Sequence, residues 1–177
     1  MATDPTSDIS RKISEAKQRK ETGDQAFKAG NVKAALLSYH QAVFFLVGLD
    51  RAAVTSIGAP QLDPAEQKEK AEIDDTISKI YSNMSACHIK QGNWQRAIET
   101  ADKALAKNAK NYKARFRKGK ALGEQGFFEK AEKILEQLKS ESADDTAAVD
   151  VELSRLRAID SAREKASKQK MKGFLRK

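Results

Sequence analysis

The same turn occurs three times in this chain. Lys28-Ala-Gly30-Asn31-Val32, Lys90-Gln-Gly92-Asn93-Trp94 and Glu124-Gln-Gly126-Phe127-Phe128 each set a glycine ahead of a valine or an aromatic. Small or apolar residues then follow at +3, +7 and +10: Ala35, Tyr39 and Ala42; Ala97, Ala101 and Ala104; Ala131, Leu135 and Leu138. That spacing marks one face of a helix. Gly92 and Gly126 are 34 residues apart, while Gly30 and Gly92 are 62 apart, one period and 28 residues more. A helix-breaking glycine recurring at a fixed period implies stacked helix–turn–helix units. A generic helix bundle is the alternative, and the fixed period argues against it.

In chain order, residues 1–7 read as a flexible leader, and Ser7 or Asp8 caps a helix running to Ala29. A second helix holds Ala35, Leu36, Tyr39, Ala42 and Val43 and continues through Phe44, Phe45, Leu46 and Leu49 to about Val54. Gly58, Pro60, Asp63 and Pro64 mark a loop over 55–63, with Asp63 as cap and Pro64 in the first helical position. The spacing predicts further helices over 64–91, 94–107, 111–125 and 127–140. After a polar break, a last helix starts near Asp144 and carries Val149, Val151, Leu153, Leu156 and Ile159. The extra residues lengthen the second and third helices, where Ile73, Ile77, Ile80 and Met84 form a coiled-coil-like seam. The expectation is an all-α chain: a three-repeat domain over 8–140, a capping helix over 141–162 and a basic tail over 163–177 fraying from it.

Composition narrows the function classes. The net charge is +8, but 163–177 holds seven bases against one acid, so the body is nearly neutral. The basic balance therefore describes a tail and not a nucleic-acid surface, and the tail offers one aromatic, Phe174, for stacking. Interleaved with Ala162, Ala166, Met171, Phe174 and Leu175, those bases fit either the solvated end of a cap or a basic amphipathic helix for calmodulin or an acidic membrane. No span has the roughly 20 apolar residues of a membrane helix. The polar N-terminus lacks a signal-peptide core, and the single cysteine, Cys87, excludes an intramolecular disulfide, so a cytoplasmic location is expected. No phosphate loop, dinucleotide fingerprint or nucleophile elbow occurs, and His40 and His88 lack a third ligand at metal spacing. Cys87, His40 and His88 are expected to pack in the core. The chain reads as a non-enzyme without cofactor or metal.

The first helices of such stacked pairs face a shared groove. They carry Lys20 and Asp24, then Asn83, then Lys113 and Arg117, with Lys113 and Arg117 four residues apart on one face. Three cations and an amide form a socket for carboxylates, each charge-assisted bond contributing roughly 1.5–3 kcal/mol.

The 34-residue period resembles the tetratricopeptide repeat, which implies a right-handed α-solenoid of three repeats and a C-terminal capping helix. Lys20-Glu-Thr-Gly23-Asp24-Gln-Ala-Phe27-Lys28-Ala-Gly30, Tyr81-Ser82-Asn83 and the Lys113/Arg117 pair resemble the carboxylate-clamp tetratricopeptide domains of co-chaperones. The resemblance covers about residues 13–140. It implies an adaptor that binds the Glu-Glu-Val-Asp-type tail of a 90-kDa or 70-kDa heat-shock chaperone through Lys20, Asp24, Asn83, Lys113 and Arg117. The alternative is a scaffold for an unrelated partner, or one that self-associates through its lengthened helices. The insert and the basic end resemble the large immunophilins and the tetratricopeptide repeat protein 9 family. About ten residues precede the repeats, so the isomerase domain of the immunophilins is not expected in this chain. Asp24 departs from the pattern, which has Asn there. Ionised Asp accepts but does not donate, and its charge repels a second carboxylate by about a few kcal/mol before screening. Weakened or altered tail binding is expected, with Asp24 pairing instead with Lys20 or Lys113.

Overall fold

The computed structural model describes residues 5–54, 64–142 and 146–175. These form seven helices: α1 (Pro5–Lys28), α2 (Val32–Val54), α3 (Pro64–Lys90), α4 (Trp94–Lys107), α5 (Tyr112–Glu124), α6 (Phe128–Glu141) and α7 (Thr146–Leu175). They pair as the hairpins α1/α2, α3/α4 and α5/α6, stacked side by side as an α-solenoid, and α7 packs on the last pair. The 55–63 loop, its Asp63 cap and the Asp144 helix start lie outside the described residues.

Each hairpin turns on the same backbone device. Gly30, Gly92 and Gly126 adopt φ of 82°, 70° and 88°, the left-handed region that favours glycine. Beyond each, an N–H reaches back over the glycine: Asn31 N to Ala26 O, Asn93 N to His88 O and Phe127 N to Leu122 O, all at 2.9 Å. The residue after the glycine also starts the next helix. Asn31 Oδ1 accepts from Ala34 N at 3.1 Å, and Asn93 Oδ1 accepts from Arg96 N at 3.2 Å. Phe127 holds the third position and has no side chain able to cap.

Two apolar clusters result. One joins α1, α2 and α3 through Ala16, Tyr39, Leu46, Ile77, Ile80 and Met84. The other joins α5, α6 and α7 through Leu122, Leu135, Leu138, Val149, Leu153 and Leu156. Ala97, Ala101 and Ala104 of α4 and Ala114 and Ala121 of α5 are fully buried. Their small size lets the helix pairs approach. Ser78 Oγ donates to Ala104 O at 2.7 Å and Ser85 Oγ to Ala97 O at 2.8 Å, bonds that a close α3–α4 crossing permits.

Several expectations need correction. The helix at the N-terminus starts at Pro5, ahead of Ser7 and Asp8; proline suits a first helical position because its missing N–H has no helical partner to lose. The basic tail does not fray: α7 continues as one helix to Leu175, and what changes near position 161 is burial, since 161–172 are all exposed. Val151 points to solvent, 71% exposed, because the buried face of α7 follows Val149, Leu153 and Leu156. His88 and Cys87 are buried as expected, but His40 is exposed. Burial pushes the Cys87 thiol up to about 11, which keeps it protonated.

The missing cap gives a stability test. Phe127→Asn supplies the side-chain acceptor that Asn31 and Asn93 provide, and should stabilise the fold by about 1 kcal/mol, while Asn93→Ala should cost about as much. Urea unfolding of the two variants checks both signs.

Candidate functional site

Lys20, Asp24, Asn83 and Lys113 line one groove of about 510 Å³. It runs between α1, α3 and α5, and its wall continues through Ser82, Asp75, Lys79, Asn108, Lys110, Asn111 and Tyr112. Arg117 lies one turn along α5 from Lys113, and its Nη1 donates to Ser82 Oγ, so the guanidinium sits against the wall rather than in it.

Asp24 is the most heavily bonded of these groups. Its Oδ2 accepts from Lys20 Nζ at 2.6 Å. Its Oδ1 accepts from the Tyr39 hydroxyl at 2.6 Å and from Asn83 Nδ2 at 2.9 Å. Three helices thus meet on one carboxylate. Tyr39 reaches it because Gly23 leaves room: a Cβ there would stand 2.6 Å from the Tyr39 ring.

The protonation states follow from these contacts. Burial pushes the Asp24 carboxyl up, but the hydrogen bonds from Lys20, Tyr39 and Asn83 and the Lys20 charge hold it below its ordinary value. Burial and the Asp24 charge push the Tyr39 phenol up, so it stays a donor. Burial lowers the Arg117 pKa from the usual guanidinium range, opposed by Tyr39 and Cys87.

The five sequence-selected residues are therefore brought together, in two unequal sets. Lys20 and Asn83 are bound to Asp24. The Lys113 side chain is exposed and, among the described residues, has no ion-pair or hydrogen-bond partner. Of the two cations open to Asp24 from the sequence, Lys20 takes it. In the sequence Tyr39 falls in the apolar packing pattern, which carries no sign of its hydroxyl's role. The available signal was the hairpin itself, because residues before and after Gly30 face one another across α1/α2. Asp75 and Asn108 stand outside the residues the sequence singled out, and Ser82 entered only as the neighbour of Asn83 in Tyr81-Ser82-Asn83. Asp75 accepts from Asn108 Nδ2 at 2.9 Å and pairs with Lys79 at 2.6 Å, which keeps the far wall mixed in charge. Among the described residues no cluster of three metal-ligating side chains occurs, and no helix is long and apolar enough to cross a membrane.

The tetratricopeptide repeat family model matches residues 88–152. Among curated proteins the chain is similar to FK506-binding protein 5 of Rhizopus delemar, 29% identical over 120 residues that make up 68% of this chain and 28% of that protein. The chain spans less than a third of the length of the curated relatives it matches. Among solved structures it is similar to the C-terminal TPR-containing domain of a Plasmodium falciparum FK506-binding protein, with a TM-score of 0.67 at 22% identity over 88% of this chain and 95% of that one. It is also similar to the first TPR domain of Spaghetti (RPAP3) bound to an Hsp90 peptide, with a TM-score of 0.55 at 17% identity over 83% and 96% of the two chains.

The Asp24 network is open to titration. A carboxyl with a lowered folded pKa adds stability above its unfolded pKa and loses it as pH falls through the folded value. Carbon-detected NMR should find Asp24 titrating below ordinary aspartates. Lys20→Met should move that titration upward and narrow the acid range over which stability is lost.

Proposed function

We propose, on the premise that the chain is a tetratricopeptide repeat domain, that it serves as a non-catalytic adaptor. Its groove takes the acidic C-terminal peptide, of Glu-Glu-Val-Asp type, of a heat-shock chaperone. The observation carrying this reading is the convergence of Lys20, Asn83 and Lys113, from three helices, on one open groove, with Arg117 against its wall. Ammonium, guanidinium and amide groups donate to carboxylates and offer nothing nucleophilic to a substrate. The likeness to a domain solved with an Hsp90 peptide supports the same partner class. A cytosolic setting, where such chaperones and a reduced Cys87 coexist, fits this role.

Asp24 sets the strength. A short peptide held by four donors reaches micromolar affinity, about −8 kcal/mol. The Asp24 carboxylate opposes an arriving anion and engages Lys20 and Asn83 first. Binding by the natural chain is therefore weaker than the donor count implies.

A second reading rests on the lengthened α2, where Phe44 and Leu37 are 78% and 61% exposed. Apolar side chains on that surface suit self-association of a scaffold. Sedimentation that finds only monomer retires it.

Titration calorimetry with a Met-Glu-Glu-Val-Asp peptide tests the principal reading. Lys113→Ala should weaken binding about tenfold or more, as expected for one charge-assisted bond. Asp24→Asn should tighten it about tenfold by removing the opposing charge. No heat from the natural chain or from either variant ends this assignment.

A further inference from the structure

We infer that the groove has a single carboxylate seat, at Lys113 with Arg117 behind it, because Asp24 occupies the other seat as a built-in anion. This rests on the adaptor reading above and names which part of an acidic peptide the site selects. A chain-terminal aspartate offers two carboxylates within one residue, its side chain and its α-carboxylate. A socket in which Lys20, Asn83, Lys113 and Arg117 all face the ligand can hold both. Here the Lys20 ammonium and the Asn83 amide already meet a carboxylate at 2.6 and 2.9 Å, and that carboxylate belongs to the chain.

The internal anion is well held. Its Oδ1 takes two donors, Tyr39 and Asn83, which uses both lone pairs of that oxygen. Tyr39 is 1% exposed and cannot swing away without opening the core. Lys20 and Asn83 keep unused donor hydrogens, but a ligand carboxylate reaching them would stand within a few ångströms of the Asp24 charge, where like charges repel. The α5 side differs. Lys113 is exposed and lines the groove, and it has no ion-pair or hydrogen-bond partner among the described residues. Arg117 spends one of its five N–H donors on Ser82.

A single seat reads charge without reading the chain end. Either carboxylate of a terminal aspartate fills it, and so does an aspartate or glutamate inside a longer acidic segment. The partner class therefore widens from acidic C-termini to acidic segments wherever they lie in a partner chain. Asp24 is the specificity-determining residue, and Asp24→Asn should restore selection for the chain end.

Calorimetry with three peptides tests this: Met-Glu-Glu-Val-Asp with a free C-terminus, its C-terminal amide, and Met-Glu-Glu-Val-Asn with a free C-terminus. The natural chain should bind all three within about threefold, since losing one of the peptide's four interchangeable carboxylates has only a statistical effect. Asp24→Asn should lose tenfold or more on each single removal. Within the natural chain, Lys113→Met should weaken binding of the free acid at least tenfold and Lys20→Met less than threefold, a contrast that does not depend on how well Asp24→Asn folds. A tenfold loss on amidation in the natural chain, or equal losses for the two lysine variants, overturns the single seat. Binding seen only after Asp24→Asn also overturns it, because the natural groove is then closed to carboxylates. No binding of any peptide by any variant removes the adaptor reading itself, and the seat with it.

Discussion

One carboxylate fastens the first three helices of this chain to one another. Asp24 on α1 accepts a hydrogen bond from Tyr39 of α2 and another from Asn83 of α3, with Lys20 balancing its charge. Bonds to a charged acceptor contribute about 1.5–3 kcal/mol each when their geometry is good and water is partly excluded. The tie also fixes orientation. It holds the first helix of one repeat against the first helix of the next, and these helices form two walls of the groove. Structure and recognition therefore compete for the same donors. An asparagine at position 24 could share hydrogen bonds with its neighbours and still donate to a visitor, whereas aspartate settles the matter in favour of the chain's own fold.

How much of this was readable in advance depended on the range of the interaction. The glycine period was legible because a left-handed turn admits few residues and leaves a mark in the sequence. Asn31 and Asn93 stood out only as partners of the turn glycines, and their capping of the next helix emerged from the structure. The convergence of Lys20, Asn83, Lys113 and Arg117 followed from the repeat register, which turns sequence distance into spatial order. Tyr39 shows the limit. Its place in the core pattern was evident, but the direction of its hydroxyl depends on the absent Cβ of Gly23, a contact made across a hairpin.

The last helix illustrates a different limit. The basic run looked like the fraying end of a cap because nothing in it is needed for a core. In the structure it remains helical well beyond its last buried residues. Lys, Glu, Ala, Gln and Met are good helix formers, and a helix already nucleated by packing extends at low cost. Arg163 sits at the boundary, with its guanidinium 5.0 Å from the Phe128 ring centroid and reaching the Glu124 carbonyl. The patterns of burial and of secondary structure end at different residues because different forces set them.

The buried apolar side chains of α4, the helix that neither cluster draws its buried members from, are alanines rather than leucines. Alanine permits close approach but removes little apolar area from water, so the cohesion across that helix is weaker than within either cluster. Local opening in repeat arrays follows such differences. The expectation is that the α5–α7 half parts from the α1–α3 half at a lower free energy than either needs to unfold. The groove straddles that division, with Lys20 and Asn83 on one bank and Lys113 and Arg117 on the other. A ligand bridging both banks acts as a staple between two semi-independent folding units, and a ligand held by one bank leaves the array as free to breathe as before.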